Sequence, residues 1–239
     1  HPQSMINQDL YGEPENNILG SASYKVTHTC KNGRGVYSFC MCPGGYVVNA
    51  SSEQGLLAVN GMSYQARDGE NANSAMIVTV TPEDFPEKGT LGGIAFQRSL
   101  EKKAWELGKG KVPVQLFGDF CAHQPSSQLG EIHPNIKGGY VLTDVRSILP
   151  KELGDSIEEG IFAFGKKLSG FDRKDAVLSG IESRTSSPVR LVRGQKGLSN
   201  ITGIYPCGEG AGYAGGITSA AMDGIKTAEW IASEYMMKL

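Results

Sequence analysis

The sequence lacks the charge of one sign that a polyanion would require. Its 23 Lys and Arg face 25 Asp and Glu, a net charge of -2, so nothing is in excess to neutralise a run of phosphates and nucleic acid is not an expected partner. Long hydrophobic runs are missing too. The nearest, 18 uncharged residues from Gly35 to Ser52, is interrupted by Pro43, Gly44 and Gly45, which would break a spanning helix. A membrane is therefore not an expected partner. Cysteine is sparse and odd in number, five residues with no secretory leader ahead of them, which points to a reducing, cytoplasmic setting. No Gly-x-Ser-x-Gly elbow supports Ser-His-Asp hydrolysis, and no internal repeat occurs.

Glycine is abundant, at 32 of 239 residues, about twice the usual share. Many glycines come in pairs: Gly44-Gly45, Gly92-Gly93, Gly138-Gly139 and Gly215-Gly216. Such pairs mark sharp turns or close approaches of backbone. With 39% hydrophobic residues the chain can bury one large core or two modest ones. Residues 1–19 are polar, with Pro2, Pro14 and a run of Asn and Gln, and read as a linker or tail cut from something longer.

From Tyr24 the pattern is strand-like. Tyr24 to Cys30 and Val36 to Cys42 form a hairpin whose Asn32-Gly33 centre predicts a two-residue type I′ turn. That register sets His28 opposite Tyr37 and Cys40 opposite Lys25. Short strands follow at Tyr46 to Asn49, Leu56 to Val59 and Ala75 to Thr81. Phe96, Leu100, Ala104 and Leu107 make the buried stripe of a helix from Ile94 to Leu107. A second helix is expected to open at Asp155, with Glu158 reaching back as its capping partner. Its stripe is Ile157, Ile161, Phe164 and Leu168, and Gly170 ends it. Ala176 to Ser183 and Pro188 to Arg193 read as extended. The expected class is α+β, or α/β with a large inserted mixed-sheet domain.

The sharpest signal lies near the C-terminus. Thr202 to Cys207 reads as a strand, Gly208 to Gly216 as a glycine loop and Ile217 to Met237 as a helix. Ile217, Ala221, Gly224, Ile225, Ala228, Ala232 and Tyr235 form its apolar stripe. Gly210-x-Gly212-x-x-Gly215 matches the dinucleotide fingerprint formally. A true fingerprint leads through its helix to a second strand, and here the helix has no strand to lead into. The sheet it serves must be completed by chain outside this sequence. No Asp or Glu occurs from Gly210 to Met222, so the positive end of the helix is left for an electron-rich ligand. Tight strand-to-helix packing is the competing reading of the glycines.

The run Gly203-Ile204-Tyr205-Pro206-Cys207-Gly208-Glu209-Gly210 through Gly215-Gly216-Ile217 resembles the C-terminal flavin-binding motif of two-dinucleotide-fold FAD-dependent oxidoreductases. Cys40 through Val48, Glu182 through Arg190 and the opening His1-Pro2-Gln3-Ser4 resemble stretches of a bacterial group of FAD-dependent dehydrogenases within it, so the likeness spans nearly the whole chain. The resemblance implies a fragment of an FAD/NAD(P)-binding flavoprotein fold lacking the first βαβ unit, with FAD as cofactor in the intact protein. It implies a substrate (cap) domain at residues 20–200 and a strand and helix of the FAD domain at 201–239. Glu209 would contact the ribityl or pyrophosphate region, and Gly208, Gly210, Gly215, Gly216 and Ile217 would line the flavin. The missing N-terminal part of the chain and a small-molecule substrate are the implied partners. This chain alone is expected to be inactive.

Other chemistry is less specific. Cys40 and Cys42 are candidate redox or catalytic thiols beside Gly44 and Gly45, whose turn would admit a ring face to the backbone. Ordinary buried cysteine is the competing reading. Cys40-x-Cys42 with His28-x-Cys30 is a poor zinc set, because the type I′ register turns the pairs away from each other, and no metal is expected. Arg184 and Arg190 flank a Thr-Ser-Ser-Pro turn and are candidates for clamping a substrate carboxylate or phosphate. His123 and His133 pair with no acid or nucleophile. The alternative to an oxidoreductase is a non-catalytic module that binds ligand or protein through its glycine loops and arginines.

Overall fold

A computed structural model describes residues 1–236. In chain order the elements are α1 (Gln3–Tyr11), β1 (Thr27–Thr29), β2 (Gly35–Cys42), β3 (Gly45–Asn49), β4 (Val59–Ser63), β5 (Asn73–Val78), α2 (Gly92–Gly108), β6 (Val112–Leu116) and α3 (Phe117–Cys121). They continue as β7 (Ile136–Lys137), β8 (Tyr140–Leu142), α4 (Lys151–Gly165), β9 (Val177–Ser179) and α5 (Ile217–Met236). The expected mixture of small sheets and helices is present. The chain forms two compact units: His1–Thr81 with Arg98–Ser183, and Pro82–Gln97 with Arg184 onward. The separation expected near residue 200 thus falls at Ser183, and residues 82–97 go with the C-terminal unit.

In the first unit β1, β2 and β5 make an antiparallel sheet, β3 lies between β4 and β7, and β6 lies between β8 and β9. All five residues of β6 are buried. The core joins Ile6, Val36, Phe117, Phe120, Ile161, Phe164 and Phe171. The expected stripe is buried, with Ile157, Ile161 and Phe164 on α4 and Leu168 just past its end. In α2, Leu100 and Ala104 are buried likewise.

Three local expectations are corrected. Residues 1–19 are not simply a tail, because α1 forms there and Ile6 is fully buried. Its polar residues serve backbone rather than water: Gln3 Nε2 donates to the Ala22 carbonyl at 3.0 Å, and Asn7 Oδ1 accepts from the Ala22 amide at 2.9 Å. α4 opens at Lys151, a turn before Asp155, and closes at Gly165. The expected capping pair is taken by Arg146, whose guanidinium donates to Asp155 at 2.5 Å and Glu158 at 2.7 Å.

The third correction is the hairpin register. Thr27 faces Tyr37 and His28 faces Val36, one position away from the expected pairing. The Gly33 amide donates to the Cys30 carbonyl and Gly33 has φ +82°. The turn is therefore a three-residue loop with a single left-handed glycine, rather than type I′ with two positive-φ residues. The β2–β5 register also shifts between Phe39 and Cys42, with Cys40 at φ 45°, the mark of a bulge.

Candidate functional site

The glycine loop lies in the C-terminal unit and is held from behind. Arg193 donates to both carboxylate oxygens of Asp223, at 2.9 and 2.6 Å, and the Gly208 amide donates to Asp223 Oδ2 at 2.9 Å. Arg193 holds the Asp223 carboxyl down at about 2, aided by the Gly208 amide. The Arg193 guanidinium also stacks 3.7 Å from the Tyr213 ring centroid. Backbone bonds from Gly212 to Glu209 and from Tyr213 to Gly208 then close the loop. Asp223 and Tyr213 went unassigned on sequence. The signal for Asp223 was that it is the first acid after the glycine run.

The glycines divide by role. A Cβ at Gly212, which has φ +80°, would stand 2.6 Å from the Val189 carbonyl, so this glycine is required by packing. At Gly208 and Gly210 a Cβ would meet nothing within 4 Å. The Glu209 side chain is exposed, and Ile217 at the helix entrance is 89% exposed. No acid occupies the first turn of α5. The Gly216 amide, expected to face a ligand, donates instead to Ser219 Oγ at 3.1 Å. Ser219 is the side-chain cap that a glycine entrance had not suggested. The expected strand at Thr202 to Cys207 is absent and the segment has no ladder partner among the described residues. A strand needs a neighbour to take up its backbone groups.

The helix itself carries the plainest departure. Of the stripe expected to be buried, Ile217 is 89% and Ile225 63% exposed, and Ala221, Ala228 and Ala232 are exposed too. The side chain of Tyr235 and all of Met237 lie outside what is described.

Of the two candidate clamp arginines, Arg190 is engaged with an aromatic ring. The Arg190 guanidinium lies over Tyr213, 4.3 Å from the ring centroid. The serine turn between the arginines packs on the glycine loop: Ser187 Oγ donates to the Val189 carbonyl at 2.8 Å and the Gly210 carbonyl at 3.2 Å, and the Leu191 amide donates to Ala211 at 3.1 Å.

The cysteine segment lies in the first unit. Cys40 is exposed on the bulge, while Cys42 is half-buried, its thiol donating to the Cys40 carbonyl at 3.2 Å. Burial pushes the Cys42 thiol upward, away from thiolate. Gly44 and Gly45 are buried and are taken up by the chain itself, which corrects their reading as an open backbone face. The Gly44 amide donates to Gln3 Oε1 and the Gly45 amide to Asn71 O. A Cβ at Gly44 would stand 1.9 Å from the Arg67 carbonyl. Glu182 is chemically distinct: burial pushes its carboxyl up to about 7, so it changes protonation near neutrality.

No helix among the described residues is long and apolar enough to cross a membrane. A protein of Clostridium beijerinckii named only as uncharacterised is 52% identical over 240 residues, covering 98% of this chain and 45% of that protein. The chain thus spans somewhat under half the length of this relative. The profile described as "FAD-dependent protein, C-terminal domain-like" matches residues 1–185, which include all of the first unit, and stops short of the glycine loop. The match covers most of the sequence, and on that footing the chain belongs to the FAD-dependent protein, C-terminal domain-like family.

Proposed function

We propose that this chain is part of a longer FAD-dependent oxidoreductase. The first unit is its substrate domain, and the C-terminal unit contributes the closing segment and helix of the flavin domain. The observation that carries the reading is the preformed loop from Gly208 to Ile217, open at Gly208 and Gly210, in a chain whose family is FAD-dependent. Two features support it further. The apolar stripe of α5 is exposed, as a helix is when the sheet it covers belongs to another stretch of chain, and the C. beijerinckii relative is more than twice as long.

The residues present fit a flavin. Gly208 and Gly210 leave space above the backbone, and no acid in the first turn of α5 opposes the electron-rich carbonyl or phosphate oxygens of a flavin cofactor. Bound FAD would supply hydride transfer at its N5. In this reading Gly208, Glu209, Gly210, Gly215 and Ile217 would hold it, while Asp223 and Arg193 keep the loop in shape. Gly216 shapes the helix entrance through Ser219. Within the substrate domain, Glu182 is a better proton carrier near neutral pH than Cys42, whose thiol stays protonated.

The test is made in the longer protein. Purified wild type should be yellow, and Glu209→Ala and Gly210→Asp should each lower flavin content per chain, measured by visible absorption. A colourless parent that cannot be reconstituted with FAD, or unchanged flavin in both variants, would overturn the assignment.

A further inference from the structure

The β1–β2 hairpin and α4 approach so closely that a Cβ at Gly160 would stand 2.5 Å from Val36 Cγ1. The neighbouring helix residue, Glu159, is thereby brought to the hairpin. His28 and Cys30, two positions apart, present the same face to it. His28 Nε2 lies 3.2 Å from Glu159 Oε1, and the ligating atoms of His28, Cys30 and Glu159 all lie within 4.8 Å of one another. Among the described residues no other group of three His, Cys, Asp or Glu side chains is gathered in this way. Cys40 and Cys42 do not join it.

We propose that His28, Cys30 and Glu159 form a binding site for a divalent transition metal of zinc type. An imidazole nitrogen, a thiolate and a carboxylate are a characteristic zinc donor set. Bonds of about 2.0 Å to nitrogen and about 2.3 Å to sulfur place tetrahedral ligand atoms roughly 3.3–3.7 Å apart. The His28–Glu159 separation is already close to this, and the sulfur needs a shift of about 1 Å on the same geometry. Cys30 is 4% exposed, whereas the side chains of His28 and Glu159 are 28% and 33% exposed, so the site has a buried floor and an open mouth.

Three protein ligands leave the fourth position to water, the arrangement of sites that keep an open coordination place. An outer layer is in position. The Lys31 amide donates to Glu159 Oε1 at 3.0 Å, and Asn32 Nδ2 donates to Ser156 Oγ at 2.9 Å, fixing the hairpin tip on the helix. An ion pair alone would account for His28 and Glu159 but not for a buried thiol gathered with them. On binding, the Cys30 thiol gives up its 3.4 Å bond to the Ser156 carbonyl. Its proton passes to solvent and a metal–sulfur bond forms, with no change of oxidation state.

The full chain, stripped with chelator, is titrated with Zn²⁺ against a chromophoric competitor and with Co²⁺ by absorption. One metal per chain and a thiolate-to-cobalt charge-transfer band are expected. Cys30→Ser should abolish the band, while Cys42→Ser and Cys207→Ser keep it. His28→Gln and Glu159→Gln should each weaken zinc by at least about tenfold, the lower bound for disturbing even an outer-shell partner. No binding by the wild type, or a band that survives Cys30→Ser, overturns the proposal. Should Cys30→Ser fail to fold, Glu159→Gln at the open mouth decides, and unchanged affinity there overturns it.

Discussion

Helices α4 and α5 are both amphipathic on paper, and they fare differently in the folded chain. Along α4, Ile157, Ile161 and Phe164 are covered by the first unit's own core. Along α5, Ile217, Met222 and Ile225 are left 63–89% exposed. A stripe at helical spacing states which side of a helix favours cover. Whether this stretch of chain supplies the cover is a separate matter, and among the described residues Ile217, Met222 and Ile225 of α5 have none. The same contrast holds for the glycines: Gly44 and Gly45 are packed in by their own unit, while Gly208 and Gly210 are open.

The contrast can be broken by mutation. The largest effect should come from Phe164→Ala, about 3–5 kcal/mol of lost stability for a fully buried aromatic, read as a lower urea midpoint. Ile225→Ala should stay within about 0.5 kcal/mol. A comparable loss at both would mean that α5 is covered after all. Next, Gly44→Ala should cost about 2–4 kcal/mol, combining a left-handed backbone with overpacking against Arg67. Gly210→Ala should be nearly neutral, and a similar loss there would remove the distinction between packed and open glycines.

Smaller, pH-dependent effects sharpen it further. Glu182 is raised from 4.5 to about 7 in the folded state, so the fold holds a proton that the unfolded chain releases. Its contribution is complete below 4.5 and is lost as pH rises through 7. Glu182→Gln should therefore stabilise the chain by about 1–3 kcal/mol at pH 8 and by little at pH 4, measured by urea unfolding at both. Asp223 runs the opposite way, depressed from 3.8 to about 2. Its contribution is present above 3.8 and lost as pH falls through 2. After allowance for solvent screening it amounts to about 1–2 kcal/mol, and Asp223→Asn should flatten that part of the acid unfolding profile.

Much of the first unit was legible. The α4 stripe, the hairpin strands and the mixed class all follow from periodicity. Other features were not. The one-residue difference in the hairpin register depends on Gly33 alone, rather than Asn32 with it, adopting positive φ. The burial of α1 depends on distant backbone groups at Ala22 that accept from Gln3 and donate to Asn7. In the candidate site, the glycine loop itself was legible in the sequence, but Asp223 behind it was not, because a charged residue on a helix is ordinarily solvated.

Local spacing and residue type alone determined where glycine frees the backbone, which helix faces are apolar, and that no excess of positive charge awaits a polyanion. Those properties belong to neighbouring residues and survive without a fold. Only tertiary structure decided which apolar faces are covered, which glycine amides are already bonded, and that Glu159 comes to stand beside His28 and Cys30, 131 positions from His28. Those outcomes depend on contacts between residues remote in the chain, and no local pattern encodes a distance across a core.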